Sequence, residues 1–159
     1  MARYVTIIGR SEEIDIVQVA LSVPAKVDTG AYRSSIHAGD IKVVDKNGQK
    51  VLRFSILGHK NAVIKRDIES TDFHEVAVRS SNGQAEKRYE VKLKIKLANK
   101  VFKTSFSLSD RANNLYPVLI GRTALNNRFI VDVSKSAVKV ERMLKAVNIK
   151  PSDFEEGMD

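Results

Sequence analysis

The chain of 159 residues contains no cysteine and no tryptophan, and it has only 3 prolines and 8 glycines. Without cysteine, disulfides, cysteine-liganded zinc, iron–sulfur clusters and thiol catalysis are excluded. No stretch approaches the roughly 18 apolar residues that a membrane-spanning helix needs. The first residues also lack the apolar core of a signal peptide. We therefore expect a cytoplasmic protein with no membrane partner.

Acidic residues are outnumbered by basic ones, and aromatic residues are few. There are 27 Lys and Arg against 19 Asp and Glu, which gives a net charge of +8. Such a surplus favours acidic partners, for example nucleic acid or a polyanionic protein tail. The 6 Phe and 4 Tyr leave few platforms for stacking bases, however. The length predicts one domain over residues 1–150, and the acidic residues 151–159 are expected to form a disordered tail.

The hydrophobic pattern predicts an all-β chain. Two Asn-Gly pairs, Asn47-Gly48 and Asn82-Gly83, are typical hairpin turns. Between residues 91 and 97, apolar residues alternate with lysines, which predicts a strand with one buried and one basic face. We expect strands at 14–23, 41–45, 51–57, 76–79, 88–98, 101–108, 118–120 and 129–133, with short helices at 122–127 and 140–147. This pattern is typical of a compact β-barrel.

Several enzyme classes can be tested against residue spacing. His74-Glu75 begins like a metalloprotease signature, but Val78 stands where the second histidine should be. The three histidines have no metal-ligand spacing, so an ordinary hydrogen-bonding role is expected for each. There is no Gly-x-Ser-x-Gly elbow and no glycine-rich phosphate loop. The residues therefore predict neither a metal nor another cofactor.

The tripeptide Asp28-Thr29-Gly30 follows an apolar run at residues 23–27 and precedes Ala31. An acid that leaves a strand on a Thr-Gly turn is how an aspartic peptidase presents its catalytic carboxylate. Taken alone, the tripeptide favours an Asx-type turn at the end of a strand, and its context has to decide. A water-activating pair needs two carboxylates. Because the chain has one such tripeptide, a second copy would have to supply the other.

A second motif, Leu119-Ile120-Gly121-Arg122, lies 91 residues beyond the first. Together, the two motifs resemble those of the retropepsins, the dimeric aspartic peptidases of retroviral type. The resemblance implies a closed acid-protease β-barrel and a homodimer that cleaves peptides. It also implies a catalytic role for Asp28, Thr29 and Gly30, braced by Ile120, Gly121 and Arg122.

Residues 14–136 further resemble a cytoplasmic bacterial and archaeal branch named for ATP-dependent zinc protease activity. The name conflicts with the residues, which offer an aspartic site but no recognisable zinc or ATP site. Members of this branch are often associated with ATP-grasp ligases that add glutamate. A link to such a ligase, and glutamate-rich tails as the substrate, are therefore expected. In the viral enzymes an acid after Asp-Thr-Gly-Ala pairs with the arginine of the second motif. Tyr32 stands there instead, so Arg122 needs another partner.

The hairpin at residues 79–88 is the candidate flap over the substrate. The residues predicted to contact substrate are Ala31, Arg79, Ser80, Ser81, Asn82, Gly83 and Arg88. Two other functions stay open on the sequence. One is a non-enzymatic basic β-barrel that binds nucleic acid, and the other is an inactive dimer of the same fold that binds peptides.

Overall fold

The computed structural model describes residues 5–79 and 82–138, and this part of the chain is almost entirely β-structure. In chain order the elements are β1 (Thr6–Gly9), β2 (Ser11–Ile16), β3 (Ala20–Val27), β4 (Ser34–Lys46), β5 (Gln49–His59), β6 (Ala62–Ser70), β7 (Phe73–Arg79), β8 (Ala85–Leu97), β9 (Lys100–Ser109), β10 (Val118–Ile120), α1 (Arg122–Leu125) and β11 (Phe129–Asp132). The prediction of an all-β chain is confirmed. None of the helical residues in the described ranges forms a segment long and apolar enough to cross a bilayer.

Six strands close into a barrel. Their order is β10, β3, β2, β8, β9 and β4, and β10 pairs again with β4 to complete the ring. β10 runs parallel to β3 and antiparallel to β4. Closure leaves no free edge within the ring, so every barrel strand has a neighbour on both sides. The predicted closed barrel is therefore confirmed.

Alternation along β8 separates the core from the basic surface. Val91, Leu93, Ile95 and Leu97 are at most 8% exposed, whereas the lysines between them are exposed. β9 supplies Phe106, which is fully buried against this layer. Side chains of a strand point to opposite faces in turn, so the sequence pattern translates directly into an inside and an outside.

Two strands outside the ring were not predicted from the sequence. β1 pairs in parallel with β11, and β6 pairs with β5 to form a long arm that extends from β4. β1 has only four residues. β6 is largely exposed on both faces. Because neither face has to be apolar, apolar and polar residues do not alternate along it. Neither strand therefore gives the alternation that identifies a half-buried strand.

Other predicted boundaries differ from the structure. The predicted strand at 14–23 is wrong, because the chain turns at residues 17–19 between β2 and β3. Val19 N–H donates to the Ile16 carbonyl at 2.9 Å there, and Gln18 has φ of 65°. Val17 and Val19, the first and last residues of this turn, continue the apolar run and hide the turn in the sequence. The helix predicted to reach residue 127 ends at Leu125. The predicted helix at 140–147 and the tail at 151–159 lie outside the described residues.

Candidate active site

Asp28 is the first residue after β3, at the beginning of a tight turn. Its carboxylate Oδ1 accepts a hydrogen bond from Gly30 N–H at 2.9 Å, and its carbonyl accepts one from Ala31 N–H at 3.3 Å. The side chain is half-buried, and Thr29 and Gly30 are exposed. The Asx-type turn that the sequence left open is therefore present, and it orients the carboxylate.

β10 braces this turn from behind. Ile120 pairs with Val27 in parallel, and Leu119 pairs with Ser35 in antiparallel register. The carbonyl of Ile120 accepts a hydrogen bond from Asp28 N–H at 2.9 Å. The strand thus passes between the two strands that the turn connects. This arrangement ties the Asp28 backbone to the barrel.

Gly121 lies where β10 meets the turn, and there is no room for a side chain. A Cβ atom at this position would lie 2.5 Å from the Arg33 carbonyl oxygen and 3.0 Å from that of Ala31. Its N–H donates to Ser34 Oγ at 3.0 Å within the core. Glycine is therefore required by close backbone approach, since its φ of −99° is accessible to any residue.

Arg122 has a partner that the sequence could not identify. Its Nη1 donates to the carbonyls of Thr29 at 3.2 Å and Gly30 at 2.9 Å. Its guanidinium also lies 5.8 Å from the centre of the Tyr32 ring. The aromatic ring therefore offers a cation–π contact at the position of the missing acid. The arginine holds the turn through backbone carbonyls and needs no carboxylate.

The candidate flap at residues 79–88 is the distal part of a longer antiparallel strand pair. β7 and β8 pair from Phe73 opposite Val91 to Arg79 opposite Ala85. Near its tip, Asn82 Oδ1 accepts a hydrogen bond from Gln84 N–H at 3.1 Å, and Gly83 has φ of 83°. Ser80 and Ser81, predicted to contact substrate, lie outside the described residues.

The two predicted arginines of this hairpin differ in their surroundings. Arg79 is exposed on the last residue of β7. Arg88 is held in the sheet, where Nη1 donates to Ser109 Oγ at 3.2 Å and Nη2 contacts Glu86 at 3.1 Å. Contact of either arginine with a substrate stays a prediction.

The hairpin and the Asp28 turn are joined by residues that the sequence analysis did not single out. Arg33, just beyond the turn, forms an ion pair with Glu90 on β8, with Nη1 2.6 Å from Oε2. The other carboxylate oxygen of Glu90 lies 3.1 Å from His74 Nε2 on β7. The sequence did contain one signal for Glu90. It is the single acid in a series of alternating polar positions that otherwise holds Lys92, Lys94 and Lys96.

A second polar cluster holds the segment that leads into β10. His59 is buried, and its Nε2 lies 2.9 Å from the carbonyls of both Arg111 and Asn114. Carbonyls only accept, so Nε2 carries the proton, and Nδ1 accepts from Asn61 N–H at 3.0 Å. His37 Nδ1 accepts from Arg111 N–H at 2.8 Å. Burial lowers the pKa of His59 below its usual value, against the opposing effect of the two carbonyls. Burial is also the main reason why the pKa of His37 is lowered.

These histidines have the hydrogen-bonding role expected from the sequence. Within residues 5–79 and 82–138, no group of three or more His, Asp or Glu side chains is placed to hold a metal ion. This described part of the chain therefore presents no ligand set for the zinc suggested by the name of the bacterial branch.

Comparison with known proteins agrees with this geometry. A family model described as "Retropepsin-like aspartic endopeptidase RimB" matches residues 7–142. A crystal structure of the Legionella pneumophila protein Lpg0085, described as having unknown function, superposes with a TM-score of 0.66 at 31% identity. That match covers 82% of this chain and 95% of that chain.

The curated relatives carry a different name. The chain is 33% identical over 151 residues to a "Probable alpha-L-glutamate ligase" of Shewanella halifaxensis, which covers 87% of this chain and 33% of that protein. It is 36% identical over 122 residues to the protein of the same name from Shewanella pealeana, which covers 74% of this chain and 26% of that protein. The chain thus spans about a third or less of the length of these two relatives.

Proposed function

The chain belongs to the RimB-like family of retropepsin-like aspartic endopeptidases, and from that premise we propose that it is a peptidase whose active site is completed by a second copy of itself. The observation that carries the proposal is the Asp28 turn. Its carboxylate is oriented by Gly30 N–H, and its backbone is held by Ile120. A half-buried acid on a rigid support is the group that a carboxylate-dependent hydrolase needs.

The second copy supplies the missing carboxylate. The two Asp28 side chains would face each other across a two-fold axis, about 3 Å apart, where they cannot both ionise readily and so share one proton. The ionised carboxylate removes a proton from water, and the resulting hydroxide attacks the peptide carbonyl carbon. The protonated carboxylate donates to the carbonyl oxygen. The C–N bond of the tetrahedral diol then breaks. The carboxyl group that took the water proton gives it to the leaving amine nitrogen, and the other carboxylate takes a proton from the diol, which restores the starting pair.

Thr29 and Gly30 suit this assembly because both are exposed beside the acid. Thr29 also lines an open groove with Tyr32 and Arg122. In the dimer, the Thr29 hydroxyl would hydrogen-bond across the interface and orient the acid pair. Gly30, without a side chain, lets the substrate backbone approach. The hairpin of β7 and β8 would close over the peptide and exclude water.

The proposed substrate is an acidic or glutamate-rich polypeptide, and the proposed site of action is the cytoplasm. Two observations support this substrate. The net charge of +8 attracts polyanions, and the matched relatives are named as glutamate ligases. A peptidase that removes glutamate tails would oppose an enzyme that adds them. The functional partner we propose is therefore a glutamate ligase, in the same protein or in a separate one.

The decisive experiment compares the wild type with Asp28→Asn on poly-glutamate peptides across pH 4–8. Asparagine keeps the turn, because its Oδ1 still accepts from Gly30 N–H, but it cannot take a proton from water. We expect hydrolysis by the wild type and none by Asp28→Asn. Asp132→Asn is the matched control, since Asp132 accepts from Ser134 N–H in a similar turn. Equal hydrolysis by wild type and Asp28→Asn would refute the mechanism.

The dimer has its own measurement. Below the dissociation constant, the rate per chain should rise in proportion to the chain concentration, since two chains form one site. Mixing wild type with excess Asp28→Asn should suppress the rate, because mixed dimers hold one competent acid. A rate per chain that is constant over a thousandfold dilution would argue for a complete site in one chain.

Nucleic-acid binding is a weaker candidate. The lysine face of β8 favours it, but base stacking needs exposed aromatic rings. Among the aromatic residues in the described ranges, Tyr32 alone belongs to the exposed class, at 60%. Salt-sensitive binding of single-stranded nucleic acid without cleavage of any peptide would favour this candidate. Tight peptide binding by the wild type without hydrolysis would favour the inactive dimer.

A further inference from the structure

Arg33 bridges the two parts of the molecule between which a peptide would lie. Its backbone belongs to the segment that packs on Gly121, directly after the Asp28 turn. Its side chain reaches β8, where Nη1 lies 2.6 Å from Glu90 Oε2. Since Glu90 lies on β8 two residues beyond the candidate flap at 79–88, the guanidinium links the Asp28 turn to the base of that hairpin.

Glu90 is a buried acid whose role in the mechanism is otherwise unassigned. Its side chain is only 7% exposed, and its two oxygens are divided between Arg33 and His74. A buried carboxylate is costly unless it is paired and hydrogen-bonded. The cost of leaving Glu90 unpaired therefore keeps Arg33 in this position. His74, opposite Glu90 in the β-ladder, holds the acid from the other side.

Arg33 keeps unused donor capacity. A guanidinium has five N–H donors in a planar fork. Among the described residues, the structure gives Arg33 the hydrogen bond from Nη1 to Glu90 and a contact with the Tyr32 ring at 5.7 Å. The side chain is 38% exposed, so donors remain open to solvent. A second carboxylate could bind there while Glu90 stays bound.

Two other arginines near the site, Arg88 and Arg122, are already engaged. Both terminal nitrogens of Arg88 have partners, Ser109 and Glu86. Arg122 donates to the carbonyls of the Asp28 turn. These two arginines therefore have fewer N–H donors left to bind a ligand.

We propose that Arg33 is the specificity-determining residue that binds a glutamate carboxylate of the substrate next to the scissile bond, and that Glu90 and His74 position it. This rests on the proposed function, because it places the peptide between the Asp28 turn and the hairpin. A glutamine side chain of the same shape offers only a neutral carbonyl oxygen to the guanidinium. The site therefore selects the charged form of an otherwise matched side chain.

The test measures selectivity, using two peptides that differ by Glu or Gln at each position beside the cleaved bond. Arg33→Lys is the main variant. It keeps a positive charge for Glu90 but loses the planar fork, so the fold should be maintained. We expect the wild type to prefer the Glu peptide in kcat/KM by about 10- to 100-fold, the range expected when a charged hydrogen bond is lost. In Arg33→Lys the preference, measured as the ratio of kcat/KM for the Glu and Gln peptides, should fall by about 10-fold.

Three further variants separate the effect of the position of Arg33 from the effect of charge alone. Arg66→Gln removes a positive charge from an exposed residue of β6, and it should leave the Glu preference intact. Glu90→Gln removes the anchor, and it should weaken the Glu preference although Arg33 remains. The double variant Arg33→Gln with Glu90→Gln removes the ion pair together with its buried charge, and it should lose the preference entirely.

Binding provides a readout that does not need catalysis. On an Asp28→Asn background, the Glu peptide should bind more tightly than the Gln peptide, and Arg33→Lys should reduce that difference. An unchanged Glu preference in Arg33→Lys, in both rate and binding, would overturn the assignment while leaving the aspartic mechanism intact. Hydrolysis by Asp28→Asn at the wild-type rate would instead refute the mechanism, and the binding comparison would still decide the role of Arg33.

Discussion

Replacing Gly121 with alanine tests whether the close contact between β10 and the Asp28 turn supports the site. The added Cβ would lie 2.5 Å from the Arg33 carbonyl oxygen and 2.6 Å from its carbonyl carbon. Both are backbone atoms, so no side-chain rotation relieves the clash. Either β10 or residues 31–33 must move by about 0.8 Å to reach an ordinary contact distance, and such overpacking typically costs about 1–3 kcal/mol.

The same movement would also lengthen or break two hydrogen bonds. Gly121 N–H donates to Ser34 Oγ at 3.0 Å, and Arg122 N–H donates to the Ala31 carbonyl at 2.8 Å. Losing both adds about 1–3 kcal/mol. Alanine recovers about 0.4–1 kcal/mol by restricting the unfolded chain. We therefore expect the free energy of unfolding to fall by about 2–5 kcal/mol, which lowers Tm by roughly 5–15 °C at this chain length.

Urea denaturation and thermal unfolding measure this loss, with Gly39→Ala as the matched control. A Cβ at Gly39 would lie 3.8 Å from Ser55 Oγ, an ordinary contact, so the control should stay within about 1 kcal/mol of the wild type. Peptidase activity should be assayed well below the Tm of the variant, where the chain is folded. We expect kcat/KM to fall even there, because the Asp28 carboxylate moves with the turn. If Gly121→Ala unfolds within about 1 kcal/mol of Gly39→Ala, the close contact does not constrain the turn.

Three further substitutions or conditions test other parts of the structure. Arg122→Lys should lower kcat/KM by about 10-fold while Tm hardly changes, since the exposed guanidinium orients the turn carbonyls more than it stabilises the fold. A drop in Tm large enough to account for the lost activity would contradict this. The free energy of unfolding should rise from pH 5 to pH 7, because burial lowers the pKa of His37 and His59 and the unfolded chain binds protons first as pH falls below about 6.5. His59→Gln should flatten that slope in urea titrations at fixed pH, and an unchanged slope would exclude His59 as its source. Phe106→Ala should cost about 3–5 kcal/mol in urea denaturation, because the ring is fully buried, and a loss below about 1 kcal/mol would mean that the core refills the space.

Much of the barrel could be predicted because its strands are half-buried. The lysines that alternate with Leu93 and Ile95 identify β8 and its orientation at once, and Asn47-Gly48 places a turn between β4 and β5. β6 escaped prediction because neither of its faces is buried. The break after Ile16 escaped because two of the three turn residues, Val17 and Val19, are apolar. Alternation of apolar and polar residues identifies strands that are buried on one face only. It is absent from strands that are exposed on both faces or buried on both faces.

Only the two continuous sequence motifs of the candidate site could be predicted. Asp28-Thr29-Gly30 and Leu119-Ile120-Gly121-Arg122 can be recognised as strings of residues. The partners of Arg122 could not be predicted, because backbone carbonyls carry no sequence signature. The Arg33–Glu90 ion pair joins residues 57 positions apart. Neither residue belongs to a motif that implies the other.

The sequence by itself determined which residues alternate into a barrel, where two hairpins turn and which acid is presented at the end of β3. These are local properties, since they depend on neighbouring side chains and on turn conformations. Only the tertiary structure decided that β10 runs between β3 and β4, that Gly121 touches the Arg33 backbone and that Glu90 holds the Arg33 side chain. Those contacts join distant segments through shape and backbone groups, and such complementarity exists only once the chain has folded.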